Sequence, residues 1–477
     1  MIKHMLFYTP AKLIPALTGL ATLVLLTRVL PADQFGLYSL AVTAMMVGQT
    51  TLTSWLVSAL VRLLPGAATP DERAELLAGL GAWFGVMFLL LSLFLAGVVA
   101  LFDWHGKEGL NYYTLTLLLT LAFSAQQLVL RVHMADLKSG RFSVLQSLQS
   151  LLSLLFMAVA VYFGSKTANA PLFGILIGYI ILILADMRAL APFLRWRRAN
   201  RAVMRTIWNY AGVLILIGVF GYLAMKVDRF ILQHYCGEEA VGFYSAGVSL
   251  AEQAISAVFM IVAMASHPLA VRAVDSNDED LKKKQLGMNA LWILGLGMPA
   301  SLGFAAIAPE LATLLLGDAF REQAAAIMPI IALAALAANL RGHYVEHYFL
   351  LARRNDLLVI ALIPSALAAL LINLLVIPKY GVMGAAYTAL GVQVTALVVA
   401  YAIVSRITAL YIPWGDMAKI CAASIAMVGV TLLIPKIENL TIAIGAKMAS
   451  GLVFYTAAIL VMNVGGMRQA LLKRYRS

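Results

Sequence analysis

The residues of this chain best suited to chemistry are ionisable side chains set inside long apolar runs. Arg28, Arg62, Arg131, Lys226, Arg229 and Arg341 supply cations there, and Asp228, Glu252 and Glu346 supply acids. A charge near the centre of a bilayer costs ~3 kcal/mol on insertion scales, so such groups face a bundle interior or an ion partner. Arg341 stands midway along the apolar stretch 324–351, too deep to be a simple flank. Its planar guanidinium suits a pyrophosphate, gripped through paired N–H bonds; the other reading is a structural ion pair with Glu346. Arg131 and Arg62, the latter just before Pro65-Gly66, fit either a cavity or ordinary flanking charge.

Arg28 lies near one end of the first apolar run. Lys226 and Arg229 lie three residues apart and so share a helix face. These three either snorkel to the interface or form a cation-rich portal for an anionic group. Asp228 points off that face, as a partner for a neighbouring cation or as a proton carrier. Glu252 either binds a coupling ion or hydrogen-bonds a neighbouring helix. His343-Tyr344-Val345-Glu346-His347 matches H-x-x-E-H, the inverted zinc-protease motif, with its histidines on one face. No third ligand is evident, and Arg341 two residues earlier opposes a second cation. No metal is therefore expected, and His343, Tyr344 and Tyr348 read as a polar stretch offering rings and hydroxyls.

The elements that hold these residues must be membrane helices. Hydrophobic residues make up 62% of the 477 and charged residues 12%, and the mean hydropathy is +0.89. That composition excludes a set of soluble domains. Apolar runs of about 20 residues, each able to cross ~30 Å of hydrocarbon, recur from end to end. The fold expected is an all-α polytopic membrane protein with about fourteen transmembrane helices. The first run, after Lys3, reads as an uncleaved helix rather than a signal peptide. The net charge of +12 reflects topology, not nucleic-acid binding: Lys and Arg collect in alternate linkers, which places both termini in the cytoplasm. The other linkers are short, which leaves no room for an extramembrane catalytic domain and argues against an enzyme such as a polysaccharide polymerase. Cys236 and Cys421 have no metal spacing and are expected to remain unpaired. Pro15, Gly19, Gly295, Gly297, Pro299 and Pro364 interrupt helices, either for close packing or for bending.

The chain repeats itself. LPADQFGLYSLAVT at 30–43 matches CGEEAVGFYSAGVS at 236–249, a short turn into a helix each time, with Tyr38 and Tyr244 expected as interfacial anchors. LRVH at 130–133 matches LRGH at 340–343 at nearly the same offset. Two landmarks in one order indicate duplicated halves. The expected division is 1–200 (helices 1–6), 201–405 (helices 7–12) and 406–477 (an added helix pair with a basic tail).

Residues 375–391 (LVIPKYGVMGAAYTALG), residues 307–333 (IAPELATLLLGDAFREQAAAIMPIIAL), DRFIL and the two repeated turns resemble the polysaccharide-transporter, O-antigen flippase-like branch of the multidrug/oligosaccharidyl-lipid/polysaccharide (MOP) exporter superfamily. The resemblance implies two pseudo-symmetric six-helix lobes around a central cavity that alternates between membrane faces. It implies a non-enzymatic flippase of the bacterial inner membrane, carrying undecaprenyl-pyrophosphate-linked oligosaccharide units outward for surface or exopolysaccharide synthesis, as in lipopolysaccharide. The implied partners are that polyprenyl-linked glycan, the bilayer, and polysaccharide polymerase and chain-length machinery. No cofactor is implied beyond coupling to a proton or sodium gradient, for which Asp228 and Glu252 are the candidates. A peptidoglycan-precursor flippase and a multidrug/cation antiporter of the same superfamily are the alternatives. The antiporter fits less well, because cations outnumber acids among the intramembrane charges.

Overall fold

The structure, a computed structural model, describes residues 10–102, 106–275, 278–351, 355–407, 410–435 and 437–469. All regular structure among them is helical. The first half contains α1 (Pro10–Val29), α2 (Ala32–Gly66), α3 (Pro70–Phe102), α4 (Gly106–Ala135), α5 (Ser139–Phe163) and α6 (Asn169–Ala185). A connector of short turns, 187–198, leads to α7 (Arg201–Ala211) and α8 (Val213–Asp275). Then come α9 (Glu279–Ala306), the short α10 (Ala308–Leu315), and α11 (Arg321–Leu340), which a π turn at Arg341–Val345 carries on to Leu351. α12 (Asn355–Ser405), α13 (Trp414–Leu432) and α14 (Leu440–Val461) complete the chain.

Among the described residues, eleven helices are long and apolar enough to cross a membrane, or thirteen if the bent pairs at α6 and α7 each count as one span. The apolar stretch Pro364–Ser405 of α12 has 42 residues. Straight, it would measure ~63 Å, about twice the hydrocarbon thickness. The backbone breaks instead at Gly381 (φ 54°, ψ −133°), and reading its two arms as separate crossings gives a fourteenth. α8 breaks in the same way at Gly237 (φ 84°, ψ 176°). Both conformations are open to glycine without steric cost. A Cβ at Gly381 would lie 3.8 Å from Cys236 Sγ, so the two breaks meet at one end of their unit. Outward side chains such as Leu89, Phe94, Leu375, Leu452 and Val453 are exposed, an apolar exterior that lipid would cover.

The contacts cluster into two compact units, Met1–Phe230 and Ile231–Ser477. In the first, Trp55, Leu56 and Leu60 of α2 pack with Leu77 and Leu80 of α3, Leu128 and Val132 of α4, and Ile207 of α7. In the second, Leu291 and Leu294 of α9 pack with Ile420, Ala423 and Met427 of α13 and Tyr455 and Ile459 of α14. The final helix pair is thus built into the second unit, and Tyr455 donates a 2.6 Å hydrogen bond to the carbonyl of Gly295.

Several local readings change. The repeated turn is made at Pro31 (φ −58°, ψ 157°) and Gly237, whereas Gly36 and Gly242 lie inside the helices that follow. Tyr38 and Tyr244 are buried, so they anchor packing rather than the interface. The helices run through Pro15, Pro299 and Pro364 without interruption. Gly297 serves close approach: a Cβ there would fall 2.2 Å from the ring of fully buried Phe259.

Candidate functional site

α2 and α11 each contain a π turn, at Thr50–Ser54 and Arg341–Val345. Such widened turns inside helices recur at functional sites. In α2 the cause is local. Thr50, Thr51, Thr53 and Ser54 each donate a side-chain hydrogen bond to the carbonyl four residues back, which competes with the helix ladder.

In α11 the π turn has a direct consequence for charge. The Glu346 N–H donates to the Arg341 carbonyl, five residues back. In an α-helix, residues three and four apart face each other and a residue five on is turned away. The wider turn brings Glu346 over Arg341, and Arg341 Nε lies 3.4 Å from Glu346 Oε1. Both side chains are mostly covered, at 13% and 24% exposure. The pair is loose, and Arg341 Nε makes no hydrogen bond among the described residues.

The remaining α11 candidates divide. His343 stacks on Phe259 of α8, with centroids 6.1 Å apart and planes at 14°. His347 Nδ1 lies 2.7 Å from the His343 carbonyl, bound to its own helix. Among the described residues no trio of His, Cys, Asp and Glu gathers as a metal site would require. Tyr344 is buried, its hydroxyl 3.2 Å from that of Tyr348 and donating at 3.1 Å to the Tyr411 carbonyl. Asn339, one turn before His343, donates at 3.3 Å to Ser256 of α8. Glu252 stands one turn before Ser256, on the same face. The second unit therefore sets His343 and Asn339 against Phe259 and Ser256 along the seam of α8 and α11, with the Arg341–Glu346 pair on the same stretch of α11.

The first unit holds the other candidates. Asp228 and Arg229 are both buried; Asp228 Oδ1 accepts from the Arg229 backbone N–H at 2.9 Å and lies 3.7 Å from Arg229 Nη1. That geometry favours an ion pair for Asp228. Lys226 is half-buried two residues earlier. Arg131, half-buried, directs Nη1 at Met134 Sδ (3.4 Å), and its Nε has no hydrogen-bond partner among the described residues. Arg28 and Arg62 are exposed, on α1 and the far part of α2.

One buried cluster escaped the sequence reading. Asp186, just past α6, accepts from Arg141 of α5 at 2.5 Å and contacts His133 Nε2 of α4. His133 and Asp186 are almost wholly buried. His133 is the repeat counterpart of His343, which was the available signal. Beside it, Asp136 takes two hydrogen bonds from Arg73 at the start of α3 (2.7 and 3.0 Å) and one from Lys138. Burial pushes the Asp136 carboxyl up, but the bonds from Arg73 and Lys138 outweigh it and hold the group below the usual carboxylate value.

Comparison with known proteins follows the fold. A family model described as Polysaccharide biosynthesis protein matches residues 25–325. Among solved structures, the chain is similar to a lipid II flippase, MurJ, in an inward closed conformation. The identity is 13% and the TM-score 0.75, over 96% of this chain and 99% of that one. It is also similar to an inward-facing multidrug resistance MATE family transporter of the MOP superfamily, at 13% identity and TM-score 0.67, over 85% and 98% of the two chains. An outward-facing MATE family structure aligns at 12% identity and TM-score 0.51, over 85% and 95%. No curated protein matches by sequence. At these identities the likeness is one of fold.

Proposed function

We infer that this chain, which belongs to the polysaccharide biosynthesis protein family and has the fold of MOP superfamily transporters, is a flippase for a lipid-linked oligosaccharide. The proposed cargo is an undecaprenyl-pyrophosphate-linked repeat unit, moved from the cytoplasmic to the outer leaflet by alternating access. The product would feed surface or exopolysaccharide synthesis of the O-antigen kind, with polymerase and chain-length machinery as downstream partners. The bacterial inner membrane, with both termini cytoplasmic, is the location proposed.

The observation that carries this reading is Arg341, held in the π turn of α11 with a loosely paired Glu346. Without cargo, Glu346 neutralises the guanidinium, so no bare charge is left in a low-dielectric interior. A pyrophosphate offers more charge and several acceptor oxygens in the planar arrangement that a guanidinium grips with two bonds. It would displace Glu346 from Arg341, and the returning carboxylate would favour release. Tyr348, His343 and Asn339 lie on the same stretch, where sugar hydroxyls would meet hydroxyl, imidazole and amide groups. Glu252 on the facing helix is the proposed group for coupling to a proton or sodium gradient. Asp228, paired with Arg229, is the weaker candidate.

A peptidoglycan-precursor flippase is the second reading, supported by the fold shared with the lipid II flippase along nearly the whole of both chains. The family match favours a polysaccharide unit. Deleting the gene in its own bacterium and measuring lipid-linked glycans tests both. Trapped polyprenyl-linked repeat units with lost surface polymer are expected. Trapped peptidoglycan precursor would establish the second reading. Unchanged glycans with new sensitivity to cationic drugs would replace both with a drug antiporter.

A further inference from the structure

Between Asp186 and Asp228 the chain contains no acidic residue and six arginines, Arg188, Arg195, Arg197, Arg198, Arg201 and Arg205. The last five are all exposed. Its first part, Met187–Leu194, turns away from α6 through a 77° bend. An arginine-rich stretch with apolar side chains between the charges has the composition of an interfacial element.

Part of its apolar side is packed within its own unit. Phe193 and Ile207 are buried, and a Cβ at Gly81 of α3 would fall 1.9 Å from the Phe193 carbonyl oxygen. Ile207 and Val203 close over Gly79, at 3.3 and 3.4 Å from a Cβ placed there. Trp83 of α3 donates at 3.0 Å to the Met204 carbonyl, and its ring stacks on Trp208 at 5.0 Å. Asn200 caps α7 by accepting from Ala202 N–H at 2.9 Å. The segment is thus fixed on α3 with its arginines turned outward. Among the described residues the acid within ion-pair reach of them is Asp71, 3.7 Å from Arg198. Exposed Leu194, Trp196 and Tyr210 alternate with the arginines.

We propose that the 194–210 segment is a binding surface for the headgroups of acidic phospholipids in the leaflet it faces. Rows of guanidinium groups complement headgroup phosphates, and the interleaved Trp, Tyr and Leu side chains take the depth at which such rings partition beside acyl chains. A soluble phosphate would satisfy the arginines but leave Leu194 and Trp196 bare, which is why the surface is assigned to lipid. This inference does not depend on what the protein transports.

The test is native mass spectrometry of the full chain released from detergent, titrated with phosphatidylglycerol and, separately, phosphatidylcholine. The wild type is expected to hold phosphatidylglycerol at least tenfold more tightly. The combined variant Arg197→Gln, Arg201→Gln, Arg205→Gln should lose that preference, about fivefold per arginine near a membrane surface at low salt, while its melting temperature in phosphatidylcholine stays unchanged. If the variant melts early, the wild type alone decides: its preference must fall steeply between 50 and 300 mM salt. Equal affinity for the two lipids, a preference the variant retains, or a salt-independent preference would each overturn the proposal. Displacement of phosphatidylglycerol by millimolar inorganic pyrophosphate would also overturn it, in favour of a site for a soluble anion.

Discussion

Arg341 and Glu346, five residues apart, are brought within 3.4 Å of each other because the backbone between them is a π turn rather than an α turn. If this pair exchanges with a diphosphate, its members have different duties. Arg341→Ala should abolish transport with protein level and membrane insertion intact, and Arg341→Lys should recover little, since a point charge cannot form the paired bonds. Glu346→Gln should bind cargo more tightly but turn over more slowly, because the returning carboxylate is gone. Binding and flipping rates in reconstituted vesicles separate the two cases. A Glu346→Gln variant with weakened binding and unchanged turnover would refute the exchange.

The π turn itself can be removed. Deleting Gly342 restores α spacing and leaves Glu346 four residues after Arg341, still facing it. The pair is then kept while the widened turn and its register are lost, so transport should fall while the helical circular dichroism spectrum is kept. Gly342→Ala adds a methyl group into open space and should leave both transport and melting temperature near wild type. Equal damage from the two changes would show that the site tolerates no alteration and that register is not the cause.

Gly81 and Gly297 test the packing that supports the two regions. Alanine at Gly81 meets the Phe193 backbone at 1.9 Å, and at Gly297 it meets the Phe259 ring at 2.2 Å. Each should cost about 1–3 kcal/mol by overpacking, read as early melting in detergent. Gly297→Ala should also disturb His343, which stacks on Phe259. Gly429→Ala, with nothing within 4 Å, is the control expected to melt like the wild type.

Much of the fold was legible in the sequence, and the reason is physical. Bilayer thickness sets helix length, so recurring apolar runs reveal the crossings, and the matched segments at 30–43 and 236–249 expose the duplication. What failed was local. The matched segments read as a turn whose Tyr38 and Tyr244 anchor at the interface, but the chain turns at Pro31 and Gly237 and both tyrosines are buried in the helices that follow. Arg341 and Glu346 stand out in the sequence as a candidate ion pair, yet spacing rules built on α-helices do not encode a π turn. The contact of His133 with Asp186 joins helices 53 residues apart in sequence, and no local pattern encodes that partner.

Asp136 gives a pH signature. Its carboxyl is held below the usual value, so Arg73 and Lys138 stabilise the folded state fully above the unfolded carboxylate value and lose that effect as pH falls through the folded one. Arg73→Gln should therefore melt earlier than the wild type at neutral pH, and the gap should close below about pH 4. A gap that persists or widens in acid would contradict this assignment.

The most direct test of the central claim is flipping of a purified polyprenyl-pyrophosphate-linked oligosaccharide in vesicles containing this protein, with a periodate- or enzyme-accessible sugar reporting the leaflet. Protein-dependent movement that Arg341→Ala eliminates is expected, with the corresponding polyprenyl-monophosphate glycan carried poorly. Movement at the wild-type rate in the Arg341→Ala variant, or no movement with any pyrophosphate-linked glycan from the bacterium that makes this protein, would contradict it.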